Sequence, residues 1–359
     1  MTQSPGLYTI HDVALMTGIE ESKIRYMEAL FCDYFEFRGR AFSSRHYTER
    51  HVSVLRKIHE LMNREHMPAV LVRAELERFV AARKNALEIV AVTSGKGGVG
   101  KTTVAVNLAV AASRIGRKTI LFDADLGLAN VHILMGVTPP GTIMDVITGA
   151  ATMDQILADG PENVKVICGG SGEPDLANLD ERMTTHLGRE LRQLASRFDT
   201  IIIDTAAGIA RNVQHFVGTA DQVVIVVTPN IASILDAYGM IKVTRDMNAR
   251  CKIRVLVNQA ENIPEAVAVY NNITTCSQRF LKYNPNYLGY VLKDPNAELA
   301  YRLRKPMIVS HPESENAKLF EQIAGKLFAR AETLEAPEPR EKDLAALFFG
   351  GALSPGVFG

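Results

Sequence analysis

The chain lacks any excess of charge: over 359 residues, 40 Lys and Arg are balanced by 40 Asp and Glu. That excludes a nucleic-acid coat over the whole surface, though not a local basic patch. Cysteine is scarce. Cys32, Cys168, Cys251 and Cys276 are far apart, with no C-x-x-C pair and no Cys/His metal spacing. A disulfide framework and a zinc site are thereby excluded, and reduced thiols in a cytoplasmic protein are expected. No apolar run is long enough to cross a bilayer. The first residues are polar and carry no apolar core of a secretory signal, which again points to the cytoplasm. What remains is a length ample for one large α/β domain and one small one.

One stretch organises the rest. Ser94 to Thr103 contains G-x-x-x-x-G-K-[ST], running from Gly95 to Thr102. The apolar run Ile89-Val90-Ala91-Val92 before it reads as a buried strand, and Val104 to Ile115 after it reads as a helix. In that strand–loop–helix setting, glycines let the backbone wrap a phosphate with its N–H groups turned inward, and the helix N-terminus adds positive character. The nucleotide-binding residues expected are Gly95, Lys96, Gly97, Gly98, Val99, Gly100, Lys101, Thr102 and Thr103. Lys101 is the expected catalytic cation at the β- and γ-phosphates, and the Thr102 hydroxyl is a natural Mg²⁺ ligand.

Acids at strand ends complete the site. Lys118 to Phe122 reads as a strand delivering Asp123 and Asp125. Asp125 is the candidate for positioning the attacking water and contacting the Mg²⁺ shell, and Asp123 is read as structural, with a part in holding the metal as the alternative. Asp199-Thr200-Ile201-Ile202-Ile203-Asp204 is an apolar strand ending in an acid, so Asp204 is expected to hold Mg²⁺ through water. Ala206-Ala207-Gly208 after it is small enough to approach a γ-phosphate. Further strands are expected at Val164–Cys168, Asp221–Thr228, Lys252–Asn258 and Tyr287–Val291. Short helices are expected at Thr142–Thr148 and Thr152–Leu157, and a long one at Glu181–Arg197. Alternation of strand and helix predicts an α/β P-loop NTPase, its mostly parallel sheet covered on both faces. No N-K-x-D or T-K-x-D is present to select guanine. Asn258, read as the end of its strand, offers an amide to an adenine edge. ATP is therefore the expected nucleotide, with Mg²⁺ beside it.

The octet Lys96-Gly97-Gly98-Val99-Gly100-Lys101-Thr102-Thr103 resembles the deviant Walker A motif of the MinD/ParA ATPases. The resemblance implies that Lys96 reaches across an ATP-dependent homodimer to the partner's nucleotide as a second catalytic lysine. It also implies that hydrolysis is slow and stimulated by a protein activator. Asp123-x-Asp125-Leu126-Gly127-Leu128-x-Asn130 is similar to MinD rather than to the D-x-D-P-Q of ParA. Thr228-Pro229, Ser233-Ile234-x-Asp236-Ala237-Tyr238, Leu288 to Asn296 and Lys305-Pro306 resemble the FlhG branch, which regulates flagellar number. Asn230 stands where that branch often has an acid. The ATPase domain is expected over 86–330.

Residues 1–85 read as a separate helical domain with helix–turn–helix spacing. Thr9 can cap a first helix, Gly18 can take the turn, and a second helix runs from Glu21 to Leu30. A wing is expected at Phe35 to Phe42, then helices at 49–64 and 68–83. Tyr8-Thr9-Ile10, Asp12-Val13-Ala14, Ile24-Arg25-Tyr26-x-Glu28 and Arg45-x-Tyr47-Thr48 resemble the winged helix–turn–helix of MerR-type regulators. That implies DNA contacts by Lys23 and Arg25 at the major groove and by Arg38, Arg40 and Arg45 on phosphates. The domain holds 13 basic and 11 acidic residues, a net charge of +2. The alternative is a module that docks a protein.

Residues 331–359 form a Pro-containing linker and a tail with Leu344, Leu347 and Phe348 at i, i+3, i+4. The tail has the apolar part of a membrane-surface helix but only Lys342 as a cation beside Glu341 and Asp343, so membrane contact is one expectation, and disorder or docking on the ATPase the other. The whole chain reads as a dimerising ATPase switch that places or counts a cellular structure. The alternatives are a ParA-like DNA-partition ATPase and an ATP-gated transcription regulator.

Overall fold

The computed structural model describes residues 8–35, 47, 49–63, 67–84, 87–125, 130–169, 190, 194 and 197–328. They fall into two compact units, divided between residues 86 and 87.

The smaller unit is helical: α1 (Ile10–Thr17), α2 (Glu21–Leu30), α3 (Glu49–Asn63) and α4 (Ala69–Lys84). Thr9 starts α1 through a capping box, its backbone N–H donating to Asp12 at 2.8 Å and its hydroxyl accepting from the Asp12 N–H at 3.2 Å. Gly18 ends the helix at φ 69°, where a Cβ would be strained. Val13, Ile24, Met27, Phe31, Leu55 and Ile58 fill the core. Tyr8 and Tyr47 form an isolated antiparallel bridge that pins the chain start beside the start of α3. The expected wing, with Arg38, Arg40 and Arg45, lies outside the described residues.

The larger unit is an eight-stranded sheet: β1 (Glu88–Thr93), β2 (Thr119–Ala124), β3 (Ala158–Asp159), β4 (Lys165–Cys168), β5 (Thr200–Thr205), β6 (Gln222–Val227), β7 (Lys252–Ala260) and β8 (Asn286–Leu292). Their order is β3-β4-β2-β5-β1-β6-β7-β8, parallel except for the β3–β4 pair. Along β1, Ile89 and Ala91 face one core and Val90 and Val92 the other, the pattern of a strand buried on both sides. Helix α5 (Lys101–Arg114) carries an unbroken buried run from Val104 to Ala112 on the second face. The short helices α6 (Val131–Met135), α7 (Ile143–Ile147) and α8 (Met153–Ile156) follow. Then come α9 (Arg211–Thr219), α10 (Ile231–Met247), α11 (Ile263–Leu281), α12 (Asn296–Arg302), α13 (Met307–Ser310) and α14 (Glu315–Phe328). Residues of α9, α10 and α11 pack on the first face, and those of α14 join α5 on the second.

The short helices at 143–147 and 153–156 match the sequence reading. Of the expected helix Glu181–Arg197, Glu190 and Leu194 are helical and buried, and most of the rest lies outside the described residues. Among the described residues no helix is long and apolar enough to cross a membrane.

Candidate nucleotide site

Strand β1 ends at Thr93, and the loop 94–100 feeds α5, whose N-cap Gly100 sits at φ 86°. Gly98 is also left-handed, at φ 77°. Both angles favour glycine, which has no Cβ to clash there. Gly95 is required for a different reason: a Cβ there would stand 2.4 Å from the backbone oxygen of Asp236 in α10. The loop is tied internally by the Ser94 hydroxyl, which donates to the Lys96 carbonyl at 2.6 Å. It is tied to the Ala206-Ala207-Gly208 turn by the Gly208 N–H on Ser94 O at 2.9 Å.

Register brings the acids to the loop. β5 lies between β1 and β2, pairing Asp204 with Val92 on one side and with Asp123 on the other. Asp204 is 1% exposed, and its Oδ1 has no hydrogen-bond partner. Burial pushes its carboxyl up to about 7, the Thr102 hydroxyl hydrogen bond pulls the other way, and Asp123 adds to the rise. Burial likewise raises Asp123 to about 6, opposed by backbone N–H groups. Those groups show its job: Asp123 accepts from the Asp125 N–H at 3.2 Å and from the Val131 N–H at 3.0 Å. It holds the turn that carries Asp125, as the sequence reading had it. Burial lowers Lys101, while Asp204 and Asp125 oppose that shift. Lys101, Asp204 and Asp125 thus form one electrostatic cluster at the mouth of the loop. Lys96 is exposed on the same loop.

An Mg²⁺ ion fits this donor set. A buried carboxylate oxygen without a partner, beside a threonine hydroxyl, is costly unless a cation or its water uses it. Thr102 and Asp204 would hold the ion, which when bound neutralises phosphate charge. Among the described residues no group of three His, Cys, Asp or Glu forms a closed metal cage. An open site shared with phosphate oxygens needs none.

The expectation for Asn258 needs correction in one respect. It does not end its strand: β7 continues to Ala260. Its Nδ2 donates to the Val99 carbonyl at 2.7 Å and presses on Gly100, where a Cβ would be 2.5 Å away. The amide thus clamps the phosphate loop. Gln259, next to it, is left-handed at φ 58°. The register between β7 and β8 slips at this point, which no local pattern foretold. Asn107 was also missed. Its Nδ2 donates to Thr103 O at 2.7 Å and its Oδ1 accepts from the Ile308 N–H at 2.9 Å, bracing α5 against α13. The available signal was a lone amide within the apolar run Val104 to Ala112.

In the smaller unit, Arg25 and Tyr26 are exposed on α2. Lys23 instead donates to Asn63 Oδ1 at 2.8 Å.

Against known proteins, the chain is 36% identical over 241 residues to the antiactivator FleN of Pseudomonas aeruginosa, spanning 67% of this chain and 86% of FleN. The chain belongs to the MinD/ParA-type P-loop ATPases. The "AAA domain" family matches residues 87–257, and the "MerR HTH family regulatory protein" family matches residues 8–73. The flagellum site-determining protein YlxH of Helicobacter pylori is 30% identical over 72% of this chain and 87% of YlxH. The cell-division ATPase MinD of Pyrococcus furiosus superposes with a TM-score of 0.55 at 25% identity, covering 67% of this chain and 98% of MinD. This ATPase therefore binds nucleotide and hydrolyses ATP, and its N-terminal unit is a MerR-like helix–turn–helix domain.

Proposed function

We propose that this ATPase is a nucleotide-controlled dimer switch of the MinD/FlhG kind, which regulates the number or placement of a cellular structure, with the flagellum as the first candidate. The observation that carries this reading is the contrast between two lysines of one loop. Lys101 is half-buried beside Asp204 and Asp125, whereas Lys96 is exposed. A cation held out from the phosphate loop is available to a second subunit's nucleotide. The likeness to FleN and YlxH supports the flagellar assignment. ATP and Mg²⁺ would favour the dimer and ADP the monomer, a population shift set by differential binding. Lys96, Lys101 and Asp125 would act in hydrolysis. Asn258 would serve the base side through the loop it clamps.

The N-terminal domain would carry the output to DNA, with Arg25 exposed for it and dimerisation pairing two half-site readers. The match to MerR-type regulators also supports a second reading, an ATP-gated transcription regulator. The tail beyond residue 330 would contact the membrane or the ATPase.

Size-exclusion chromatography with light scattering tests the switch. Asp125→Ala with ATP and Mg²⁺ should run as a dimer, with ADP as a monomer, and Lys96→Ala should lose the ATP dimer. Equal dimer in the apo, ADP and ATP samples would refute it. Fluorescence anisotropy on double-stranded DNA, with Asp125→Ala in ATP against ADP, tests the output. Absence of binding in both states, even at low salt, would sink it.

A further inference from the structure

Away from the nucleotide site, the larger unit has a cavity of about 370 Å³ between the turn after α6 and the end of α12. Ile133, Val137 and Pro139 supply apolar wall, Arg304 supplies a guanidinium and His132 an imidazole, with no carboxylate among the lining residues. Two chain reversals meet there. Gly136 ends α6 at φ 65°, so close to Arg304 that a Cβ on it would stand 2.6 Å from the Arg304 carbonyl oxygen. Arg304 makes the opposing reversal at φ 50°, held by its N–H on Tyr301 O at 3.0 Å and by the Lys305 N–H on Ala300 O at 3.1 Å. Glycine is the relaxed residue for such a turn, and Gly18 and Gly136 take it at the ends of α1 and α6. Arg304 takes it at the cost of backbone strain, as Lys282 does at φ 52° at the end of α11.

The surface beside the cavity is open to solvent. Tyr301 to Lys305 are all exposed, with Tyr301 at 51% and Leu303 at 56%. Arg302 is paired with Glu298 at 2.6 Å. The side chains of His132, Arg304 and Lys305 make no hydrogen bond or ion pair among the described residues. Cations near the ends of α6 and α12 complement those helix termini. That accounts for the sign of the charge, but not for a left-handed arginine or for two large apolar side chains in solvent. The frame is firm: α13 is braced on Asn107 of the phosphate-loop helix, and the start of α6 on Asp123.

We propose that this surface docks an acidic peptide segment of a partner protein. One bulky apolar side chain of the peptide seats in the cavity, and flanking carboxylates meet Arg304, His132 and Lys305. A concave apolar wall calls for a side chain that projects from a backbone, which neither a phosphodiester chain nor a flat bilayer presents. Planar guanidinium on carboxylate supplies the orientation. The proposal is independent of the dimer and flagellar readings.

The test uses the full chain, a random peptide display library and counterselection on Arg304→Gly. Enriched peptides, measured by fluorescence anisotropy, should carry Asp or Glu around a Leu, Phe or Trp. Arg304→Gly and Lys305→Glu should each weaken binding roughly tenfold or more, and added salt should weaken it further. Arg304→Gly should melt no lower than wild type, since the backbone strain is relieved, so lost binding cannot be put down to lost fold. No enrichment over Arg304→Gly, enrichment without acidic bias, or binding to either variant as tight as to wild type would overturn the proposal. Displacement of the peptide by a DNA duplex or by phosphatidylglycerol vesicles at lower concentration would overturn it as well, by assigning the surface to phosphate.

Discussion

Replacing Asp204 by asparagine should make the apo protein more stable while destroying its enzyme activity. Asp204, one residue before the end of β5, is buried, with one carboxylate oxygen unpartnered. Burial raises its pKa from 3.8 to about 7. Between those values the folded state holds a proton that the unfolded state has released, so stability falls as pH rises through that window. Below about pH 4 both states are protonated and nothing is lost. Above pH 7 the loss is complete, and a rise of about 3 pKa units at 1.36 kcal/mol each amounts to about 4 kcal/mol. The amide in Asp204→Asn would keep an acceptor for the Thr102 hydroxyl and never ionise. The difference in stability between Asp204→Asn and wild type should therefore be near zero at pH 4 and grow to about 4 kcal/mol at pH 8. Asp123 is present in both proteins, so its own titration largely cancels. The assay is urea unfolding without nucleotide or Mg²⁺, followed by the strand band in the infrared, because among the described residues every strand belongs to the larger unit. Saturating Mg²⁺ and ADP should narrow the gap, because only wild type keeps the Asp204 carboxylate for the ion; binding at a hundred times Kd stabilises by about 2.7 kcal/mol. A stability difference that stays flat from pH 4 to pH 8 would refute the argument, and with it the reading of Asp204 as a charge held in waiting for a cation.

Three further outcomes follow from the same geometry. Lys101→Ala should abolish nucleotide binding, whereas Asp125→Ala should bind ATP at near wild-type affinity and fail to hydrolyse it; isothermal titration and phosphate release separate the two, and wild-type turnover in Asp125→Ala would show that another group positions the water. Gly95→Ala drives a methyl group into the Asp236 backbone and should cost at least about 2 kcal/mol of stability along with nucleotide binding, read by thermal melts with and without ATP. Asn258→Ala frees the Val99 carbonyl and should cost about 1–2 kcal/mol and weaken nucleotide binding, and unchanged affinity would show that the loop holds its shape without the clamp.

Much of this ATPase was legible from contiguous residues. The phosphate loop depends on glycines at fixed positions between a buried strand and a helix, and every one of those requirements is local. The strands around it announce themselves by being apolar throughout, because a parallel strand is covered on both faces. The capping of α1 by Thr9 and its end at Gly18 are local in the same sense. Other features could not be read that way. Asp123 and Asp204 are neighbours only because β2 and β5 pair in that register. Which of the two braces a turn and which keeps an unpartnered oxygen depends on the backbone that each one meets. Asn258 looked like a strand end facing a base, yet packing carried β7 two residues further and turned the amide onto Val99. The cavity joins residues 132–139 to Arg304, stretches of sequence that only the assembled sheet and the brace at Asn107 bring together. Local sequence determines the dihedral angles a segment can adopt and the faces it must bury. Register, and the contacts made across the fold, are decided by the packing of the whole sheet, and that set the chemistry around each acid and amide.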